Sequence, residues 1–471
     1  MATATGQRVA KKKKKTAEAA PCLPDHLVAE VLVRLPARSL ARLRCACRSW
    51  DAEISSRAFQ ERHHALAAAK LAFLELAPAH ITNLVVIGRG RPAPLLANCR
   101  DCPSVIVSKA CFGLVLVQKR CNAAYSVRNP TTGEVLHLPP SDDHRKCSRT
   151  GFGFHASAGE FKVVRVSIQL GKLHARVLTV GDARGWRAPA AAAAAVGDLS
   201  DDDGMDPYVE PVFADGCLHW CFRGTQYLDK PHGILSFSLA DESFRRVAQP
   251  SFSTADLVPY DINQDNQQHE HQLWRARGVR SSSEGGEEDV APPVGKTLAE
   301  LDGRLCMMRD VRHRTDVGSL LFEIWRLQDY DTGSWSLDYR IDLKTGHMAE
   351  RLTTPWLVVP LRYLEEGGGG SQSQPQQLGA KSRKLLLATT AREAHVYDPD
   401  SGTLRTVASV TTAREAHGHG YDPDSWTVAG GDNGNSADNS LRLVLYQESL
   451  VRFTHTKQGK GEIEFVKVDY D

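Results

Sequence analysis

The sequence lacks the long apolar runs and the leader-type segment that would take a chain into or across a membrane. No stretch approaches the roughly 18 consecutive apolar residues that a membrane-spanning helix needs. The five lysines at 11–15 are not followed by the apolar core of a signal peptide. The eleven cysteines are an odd number without the spacing of a disulfide framework. We therefore expect a soluble, non-secreted protein with free thiols, located in the cytoplasm, the nucleus or both.

A strong charge of either sign is also absent. The chain has 58 Lys and Arg residues against 56 Asp and Glu residues, which gives a net charge of +2. Residues 1–20 hold six of the basic residues and one acidic residue, so the remainder carries 52 basic against 55 acidic residues. This slightly acidic remainder argues against nucleic acid as the main ligand. The tail at 1–20 is predicted to be disordered, and its lysine run is either simply solvated or a nuclear import signal.

The motifs of enzymes and metal sites are missing or incomplete as well. The run from Gly88 to Ala93 imitates a dinucleotide-binding fingerprint, but its prolines oppose the helix that this chemistry needs, and no βαβ pattern follows. Cys99 and Cys102 form only half of a zinc site. A nucleophile elbow and a suitably spaced carboxylate pair are both lacking. We therefore expect no catalytic residues, no cofactor and no bound metal.

What the chain does contain, from about residue 70 onward, is a series of strand-like segments rich in β-branched and aromatic residues. Examples are FGLVLVQ at 112–118, FKVVRVSI at 161–168, LFEIWRL at 321–327 and LRLVLY at 441–446. Tight-turn sequences recur between such segments. They are Asn129-Pro-Thr-Thr-Gly133, Asp398-Pro-Asp-Ser-Gly402, its partial repeat at 422–425, and the pairs Asp215-Gly216 and Asp302-Gly303. In these turns an Asp or Asn side chain accepts backbone hydrogen bonds and Gly supplies a positive φ.

Three stretches interrupt this pattern, at 188–206, 263–289 and 365–380. They have too few apolar residues to join a core and are predicted to be disordered loops. Recurring hairpins without alternating helices indicate small sheets repeated around an axis, which is a β-propeller. At about 40 to 50 residues per blade, the region after residue 95, less these three loops, predicts six or seven blades. A pair of large β-sandwiches is the alternative fold.

The densest apolar patch of the N-terminal region is LPDHLVAEVLVRLPARSLARLRCACRSW at 23–50. Two stripes at helical spacing, separated by Pro36, predict two short helices. The stripes consist of Leu27, Val31, Leu32 and Leu35, and then of Leu40, Leu43, Cys47 and Trp50. A segment of about 45 residues buries too little of its own surface to be stable without a partner. The stripes therefore face either a groove on another protein or the β region that follows.

This segment resembles the F-box family of ubiquitin-ligase subunits. The positions that carry the resemblance are Leu23-Pro24, Val31-Leu32, Arg34-Leu35-Pro36, Ser39-Leu40 and Cys47-Arg48-Ser-Trp50. Two positions depart from the pattern, Ala46 where Val is usual and Arg48 where Lys is usual. Later phrases, among them YSVRNPTTGEVLHLP, GFGFHASAGEFKVVRV and FADGCLHW, resemble in their order the F-box-associated domain of plant members.

The resemblance implies a multidomain protein with a small all-α F-box domain at 21–68 and a large all-β, propeller-like F-box-associated domain at 69–471. It implies that the helices bind a Skp-type adaptor, which bridges to a cullin, while the β domain selects the protein to be ubiquitinated. The residues expected to contact the adaptor are Leu23, Pro24, Leu27, Val31, Leu32, Leu35, Pro36, Leu40 and Trp50. A scaffold that uses the F-box without a cullin, or a propeller that binds carbohydrate or another ligand, is the alternative.

Overall fold

The computed structural model describes most of the helical region and most strands of the β region. The described residues are 23–67, 70–76, 82–86, 93–94, 104–106, 109–119, 124–141, 148–191, 205, 209–222, 233–250, 296–310, 321–342, 352, 358–364, 383–389, 393–409, 440–451 and 463–465. The tail at 1–20, the segments 263–289 and 365–380, and the turn at 422–425 lie outside them. So does the segment 188–206 apart from 188–191 and 205. The disorder expected for these segments stays a prediction.

Four helices form the N-terminal domain within the described residues. They are α1 Asp25–Leu32, α2 Ala37–Leu43, α3 Arg48–Ser55 and α4 Arg57–Leu66. Pro24 and Pro36 stand immediately before α1 and α2, where a fixed φ and a missing N–H suit the start of a helix. Ser56 caps α4, since its hydroxyl accepts a hydrogen bond from the Phe59 backbone N–H at 3.2 Å. None of the described helices has both the length and the apolar character needed to cross a membrane.

The helix count corrects the expectation of two helices. The apolar stripe after Pro36 does not lie on one helix, because α2 ends at Leu43 and α3 begins at Arg48, so Trp50 belongs to a different helix from Leu40. Neither glycine nor proline lies between α2 and α3, so the apolar spacing continues across the break without a local signal. The chain turns here because the two helices pack on a shared core that contains Leu40 of α2 and Ile54 of α3.

The β domain consists of 24 strands within the described residues. They are β1 Lys70–Leu76, β2 Thr82–Val86, β3 Ala93–Pro94, β4 Ser104–Ile106, β5 Val115–Lys119, β6 Tyr125–Arg128, β7 Glu134–His137, β8 Arg149–His155, β9 Glu160–Gln169, β10 Lys172–Thr179, β11 Val212–Ala214, β12 Cys217–Cys221, β13 Gly233–Ser238, β14 Phe244–Ala248, β15 Lys296–Leu301, β16 Arg304–Asp310, β17 Leu321–Asp329, β18 Ser334–Asp342, β19 Val358–Leu364, β20 Lys384–Thr389, β21 Glu393–Asp398, β22 Thr403–Ser409, β23 Ser440–Tyr446 and β24 Ile463–Phe465. Three of the four segments expected to be strands from their composition are confirmed as parts of β9, β17 and β23, and the fourth, 112–118, is strand only from Val115, where β5 begins.

The strands form antiparallel sheets that follow one another along the chain. Their orders are β23-β1-β2-β3, β24-β7-β6-β5-β4, β10-β9-β8, β11-β12-β13-β14, β15-β16-β17-β18 and β19-β20-β21-β22. Successive sheets pack face to face through apolar clusters; the cluster around Trp220, for example, joins Val164 of β9 to Phe237 of β13. Small sheets packed in series are the architecture of a β-propeller, and they exclude the pair of large β-sandwiches.

The expected count of six or seven blades is wrong. Five of the sheets in the described part of the chain have the four or more strands of a complete blade, and the sheet β10-β9-β8 has three. At the outer side of β10, an isolated bridge between Val177 and Arg187 stands where a fourth strand would pair. The division of residue number by blade length overestimated the count because the connections between blades vary widely in length.

Two strands from the C-terminal end of the chain close the fold. β23 pairs with β1 from Lys70 opposite Tyr446 to Leu76 opposite Ser440, and β24 pairs with β7. Each closing strand thus completes a sheet whose other strands come from the beginning of the β domain. Backbone hydrogen bonds between the two ends of the domain hold the ring of blades shut, because opening it would leave both strand edges unpaired.

The turn chemistry expected from the sequence is confirmed where it is described. Asn129 Oδ1 accepts from the Thr131 backbone N–H at 2.9 Å, and Gly133 has a φ of +76°. The Asp215-Gly216 and Asp302-Gly303 pairs each connect the first two strands of a sheet with both residues at positive φ.

Candidate functional site

The outer face of α1 carries an apolar stripe that is open to solvent. Leu23, just before the helix, is 63% exposed, and Leu27 and Val31 are 43% and 58% exposed. Leu27 and Val31 stand four positions apart and therefore lie on one side of the helix. Leu23 and Pro24 precede its first turn, and Pro24 is exposed as well. The stripe of Leu23, Leu27 and Val31 is therefore an apolar surface on which a partner could pack.

The inner face of the same helices builds a core. Leu32 and Leu40 are 3% and 0% exposed and pack with Ile54 of α3 and Phe59 of α4. Leu35 and Trp50 lie partly buried at the edge of this core. The short domain can bury one face in this way only because all four helices contribute to the core.

The structure therefore divides the nine residues that were expected to contact an adaptor. Leu23, Pro24, Leu27, Val31 and Pro36 are exposed, Leu35 and Trp50 are half-buried, and Leu32 and Leu40 are buried. Leu32 and Leu40 have almost no accessible surface in the isolated chain and lie in the core beneath the exposed residues. Adaptor contact by the nine residues stays a prediction.

A charged group borders the apolar stripe and was not found from the sequence. Glu30 of α1 forms ion pairs with Arg34 of the same helix, at 2.9 Å, and with Arg62 of α4. Hydrogen bonds from Arg62 and Arg34 lower the pKa of the Glu30 carboxyl. The pair with Arg34 has the four-residue spacing that stabilises helices, so a signal was present in the sequence. The contact with Arg62 was not readable, because it depends on how α4 packs beside α1.

Two exposed thiols lie between α2 and α3. Cys45 and Cys47 are both free and exposed. Cys47 occupies the position before the first turn of α3, where hydrogen bonds from the Ser49 side chain, at 3.5 Å, and from the Trp50 backbone lower its pKa. The buried thiols of the β domain are the opposite case, since burial raises the pKa of Cys306 to about 12.

A polar cluster joins two neighbouring sheets of the β domain. The Tyr330 hydroxyl lies 3.0 Å from Asp215 Oδ2 and 3.0 Å from His219 Nε2, while His219 Nδ1 lies 3.2 Å from the Val212 carbonyl oxygen. Burial lowers the pKa of His219 to about 4 and raises that of Tyr330. Both side chains are therefore neutral at pH 7, and their hydrogen bonds fasten β12 to the turn after β17.

Metal ligands do not gather anywhere in the described part of the chain: no group of three or more His, Cys, Asp or Glu side chains there could hold an ion. Cys99 and Cys102 lie outside the described residues. The exposed stripe on α1 offers a surface suited to binding.

Comparison with known proteins agrees with this arrangement of domains. Residues 21–56 match the family model of the F-box domain, and residues 97–271 match that of the F-box associated beta propeller domain. The chain thus carries an F-box domain followed by an F-box-associated domain. The F-box match covers α1 to α3, and the second match begins between β3 and β4.

The relatives of this F-box protein include many plant proteins. It is 27% identical to the F-box protein At1g33530 of Arabidopsis thaliana over 234 residues, which are 49% of this chain and 50% of the relative. It is 24% identical to the F-box protein At5g49610 of the same plant over 340 residues, 68% of this chain and 79% of the relative. For the first relatives, the matched part spans half or less of their length.

Solved structures give more distant likenesses. A nidogen/laminin complex has a TM-score of 0.32 and 12% identity, covering 72% of this chain and 92% of that one. YCF48 bound to D1 peptide also has a TM-score of 0.32, with 9% identity and coverage of 72% and 81%.

Proposed function

We propose that this F-box protein is the substrate-recognition subunit of a Skp–cullin–F-box ubiquitin ligase. In this proposal the F-box docks on a Skp-type adaptor, the adaptor bridges to a cullin, and the propeller binds the protein to be ubiquitinated. The observation that carries the proposal is the exposed stripe of Leu23, Leu27 and Val31 beside a fully formed core. Apolar side chains at helical spacing on a solvent-facing side are the signature of a helix that binds a groove on a partner.

The clustering of exposed apolar residues in the helical domain supports a binding surface rather than scattered surface residues. Six large apolar side chains are exposed in the described part of the chain, and four of them belong to residues 23–66. Single exposed apolar residues are common on any surface, whereas a clustered set marks an interaction site. The small helical domain therefore carries most of the exposed large apolar residues although it contributes few of the described residues.

The β domain supports a non-catalytic role in the proposal. Some of its buried ionisable groups are engaged in contacts between sheets, as Tyr330 is with Asp215 and His219. A rigid ring of sheets presents connecting loops at its two faces, and loops on a rigid scaffold are where recognition commonly resides. The protein partner on this side is a substrate of unknown identity; neither a nucleic acid nor a membrane belongs to the proposal.

The test is reconstitution of the full chain with its proposed partners. Mixed with a Skp-type adaptor and a cullin complex, the full chain should assemble into one complex on gel filtration. Affinity purification from proteasome-inhibited cells should then yield proteins that become ubiquitinated in this complex. A chain that binds the adaptor but supports no ubiquitin transfer to any co-purified protein would instead be a scaffold. A chain that binds no adaptor would refute the proposal.

We further propose that the protein works in the cytoplasm, the nucleus or both. The lysine run at 11–15 supports nuclear entry, since such runs serve as import signals. Replacement of these lysines by Gln in a fluorescent fusion should shift the nuclear fraction toward the cytoplasm. An unchanged distribution would contradict the import signal and indicate that the lysine run is simply solvated.

A further inference from the structure

A short segment near the C-terminus lies between the two domains. Residues 447–451, with the sequence Gln-Glu-Ser-Leu-Val, are here called the strap. The strap directly follows β23, which closes one sheet with β1, and precedes β24, which closes another with β7. Its position in space is therefore tied to the closure of the ring of blades.

On one side the strap completes the F-box. The Leu450 side chain is 2% exposed and belongs to the same core as Leu40, Ile54 and Phe59. The strap also caps a helix: Glu448 Oε2 accepts a hydrogen bond from the Ala37 backbone N–H at 3.0 Å. The residue before α2 is a proline without a side-chain cap, so this distant carboxylate takes the capping role, and its charge suits the N-terminus of a helix.

Two further hydrogen bonds attach the strap to the ends of F-box helices. The Arg44 guanidinium, just after α2, donates to the Leu450 carbonyl oxygen at 3.1 Å. The Gln447 side chain donates to the Ala67 carbonyl oxygen, just after α4, at 3.0 Å. The F-box therefore takes a core residue, a helix cap and two end contacts from a part of the chain that lies 380 to 411 residues away along the sequence.

On its other side the strap is held by the turn between β6 and β7. The side-chain amide of Asn129 donates to the Ser449 carbonyl oxygen at 3.1 Å and to the Val451 carbonyl oxygen at 2.9 Å. The Thr131 hydroxyl accepts from the Ser449 backbone N–H at 3.0 Å. Asn129 is only 1% exposed, so these hydrogen bonds form away from competing water.

Asn129 thus has two separate tasks. Its Oδ1 shapes its own turn by accepting from Thr131, while its amide group binds the strap. The corresponding turn between β21 and β22 shows that the first task does not need an amide. There Asp398 Oδ1 accepts from the Asp400 and Ser401 backbone N–H groups, at 3.1 and 3.4 Å.

We propose that the strap couples the two domains, with Asn129 as its positioning residue. The F-box is fully formed only when the strap is held in place, so a closed propeller is a condition for an intact adaptor-binding face on α1. The consequence for the adaptor rests on the proposed function; the coupling of the domains does not. The device ensures that a chain with an open propeller does not offer a competent F-box.

The decisive variant is Asn129→Asp in the full chain. It keeps the oxygen that shapes the turn and removes both N–H donors to the strap, without touching any F-box residue. The matched control is Asp398→Asn, the reverse change in a turn that does not hold the strap. Hydrogen–deuterium exchange should show amides of α2 and α4 exchanging about tenfold faster in Asn129→Asp, because two hydrogen bonds of ordinary strength are lost. Asp398→Asn should leave those helices as in the wild type.

Adaptor binding provides the second readout. Because a smaller competent fraction lowers apparent affinity in proportion, Asn129→Asp should weaken adaptor binding about fivefold to tenfold, and Asp398→Asn should not. Thr131→Val, which removes only the hydroxyl acceptor, should give a smaller change of the same kind, and it serves if Asn129→Asp does not fold.

The outcomes separate the two proposals. Wild-type exchange in α2 and α4 of a folded variant, with faster exchange confined to the strap, would overturn the coupling. A wild-type chain that binds no adaptor would overturn the proposed function. The coupling of the domains would then be tested by hydrogen–deuterium exchange alone.

Discussion

Replacement of the exposed stripe on α1 should weaken adaptor binding strongly without unfolding the protein. The change is a triple substitution of Leu23, Leu27 and Val31 by Ala. Full burial of one such side chain contributes about 1.5 to 3 kcal/mol, and these residues have between 43% and 63% of their surface left to bury. The three together thus contribute about 2.5 to 5 kcal/mol to binding. Since Ala retains its Cβ, we expect a loss of affinity of about a hundredfold at roughly 1.4 kcal/mol per factor of ten.

The assay is isothermal titration of the full chain with a Skp-type adaptor, accompanied by thermal unfolding. Exposed positions away from the core change stability by less than about 0.5 kcal/mol each, so the unfolding transition should stay close to that of the wild type. Leu170 and Leu337 are exposed leucines of the β domain, and their replacement by Ala is the matched control that should leave affinity unchanged. Affinity within threefold of the wild type in the triple variant would refute the assignment of this face.

Two further predictions concern ionisable groups. Hydrogen bonds from Arg187 and Lys162 hold the pKa of Glu242 at about 2. A carboxyl group with a lowered pKa stabilises the folded state at pH values above its ordinary pKa of 4.5, and this contribution is lost as the pH falls toward 2. Glu242→Gln should therefore lower the free energy of unfolding at pH 7 by about 3 kcal/mol. Urea titrations should show a smaller difference between wild type and variant at pH 3 than at pH 7. An equal difference at both pH values would contradict the ion-pair argument. Iodoacetamide at pH 8 should label Cys47 rapidly and Cys111 only after unfolding, because Cys47 is exposed with a lowered pKa and the pKa of Cys111 is raised by burial. Peptide mass spectrometry would measure both rates, and equal rates would refute the difference in environment.

The sequence predicted the local features of the F-box but not its partners in space. The spacing of Leu23, Leu27 and Val31 indicated an apolar face, and Pro36 indicated a helix boundary, because both signals act within a few residues. Spacing alone could not separate the outward residues from Leu32, which is buried. The two stripes looked alike in the sequence, and only the packing of four helices decides which side of each helix faces inward.

The propeller shows the same limit on a larger scale. Strands and turns were predictable, since β-branched residues and Asn or Asp followed by Gly act locally. The number of complete blades was not, because it depends on which distant strands pair. β23 joins β1 and β24 joins β7, and such pairings leave no local mark in the sequence. The sequence of β8 to β10 likewise predicts consecutive antiparallel strands, but it does not show that their sheet lacks a fourth strand.

The two faces of the F-box differ in what they require of the rest of the chain. The stripe on α1 consists of residues that the core does not use, so it can be changed without cost to folding. The start of α2 is different, because its cap comes from Glu448 and its core includes Leu450. Binding and folding are therefore separable at α1 and inseparable at α2. A substitution at Asn129 should consequently weaken adaptor binding by loosening the folded F-box. A substitution at Leu27 should weaken adaptor binding and leave the folding of the F-box unchanged.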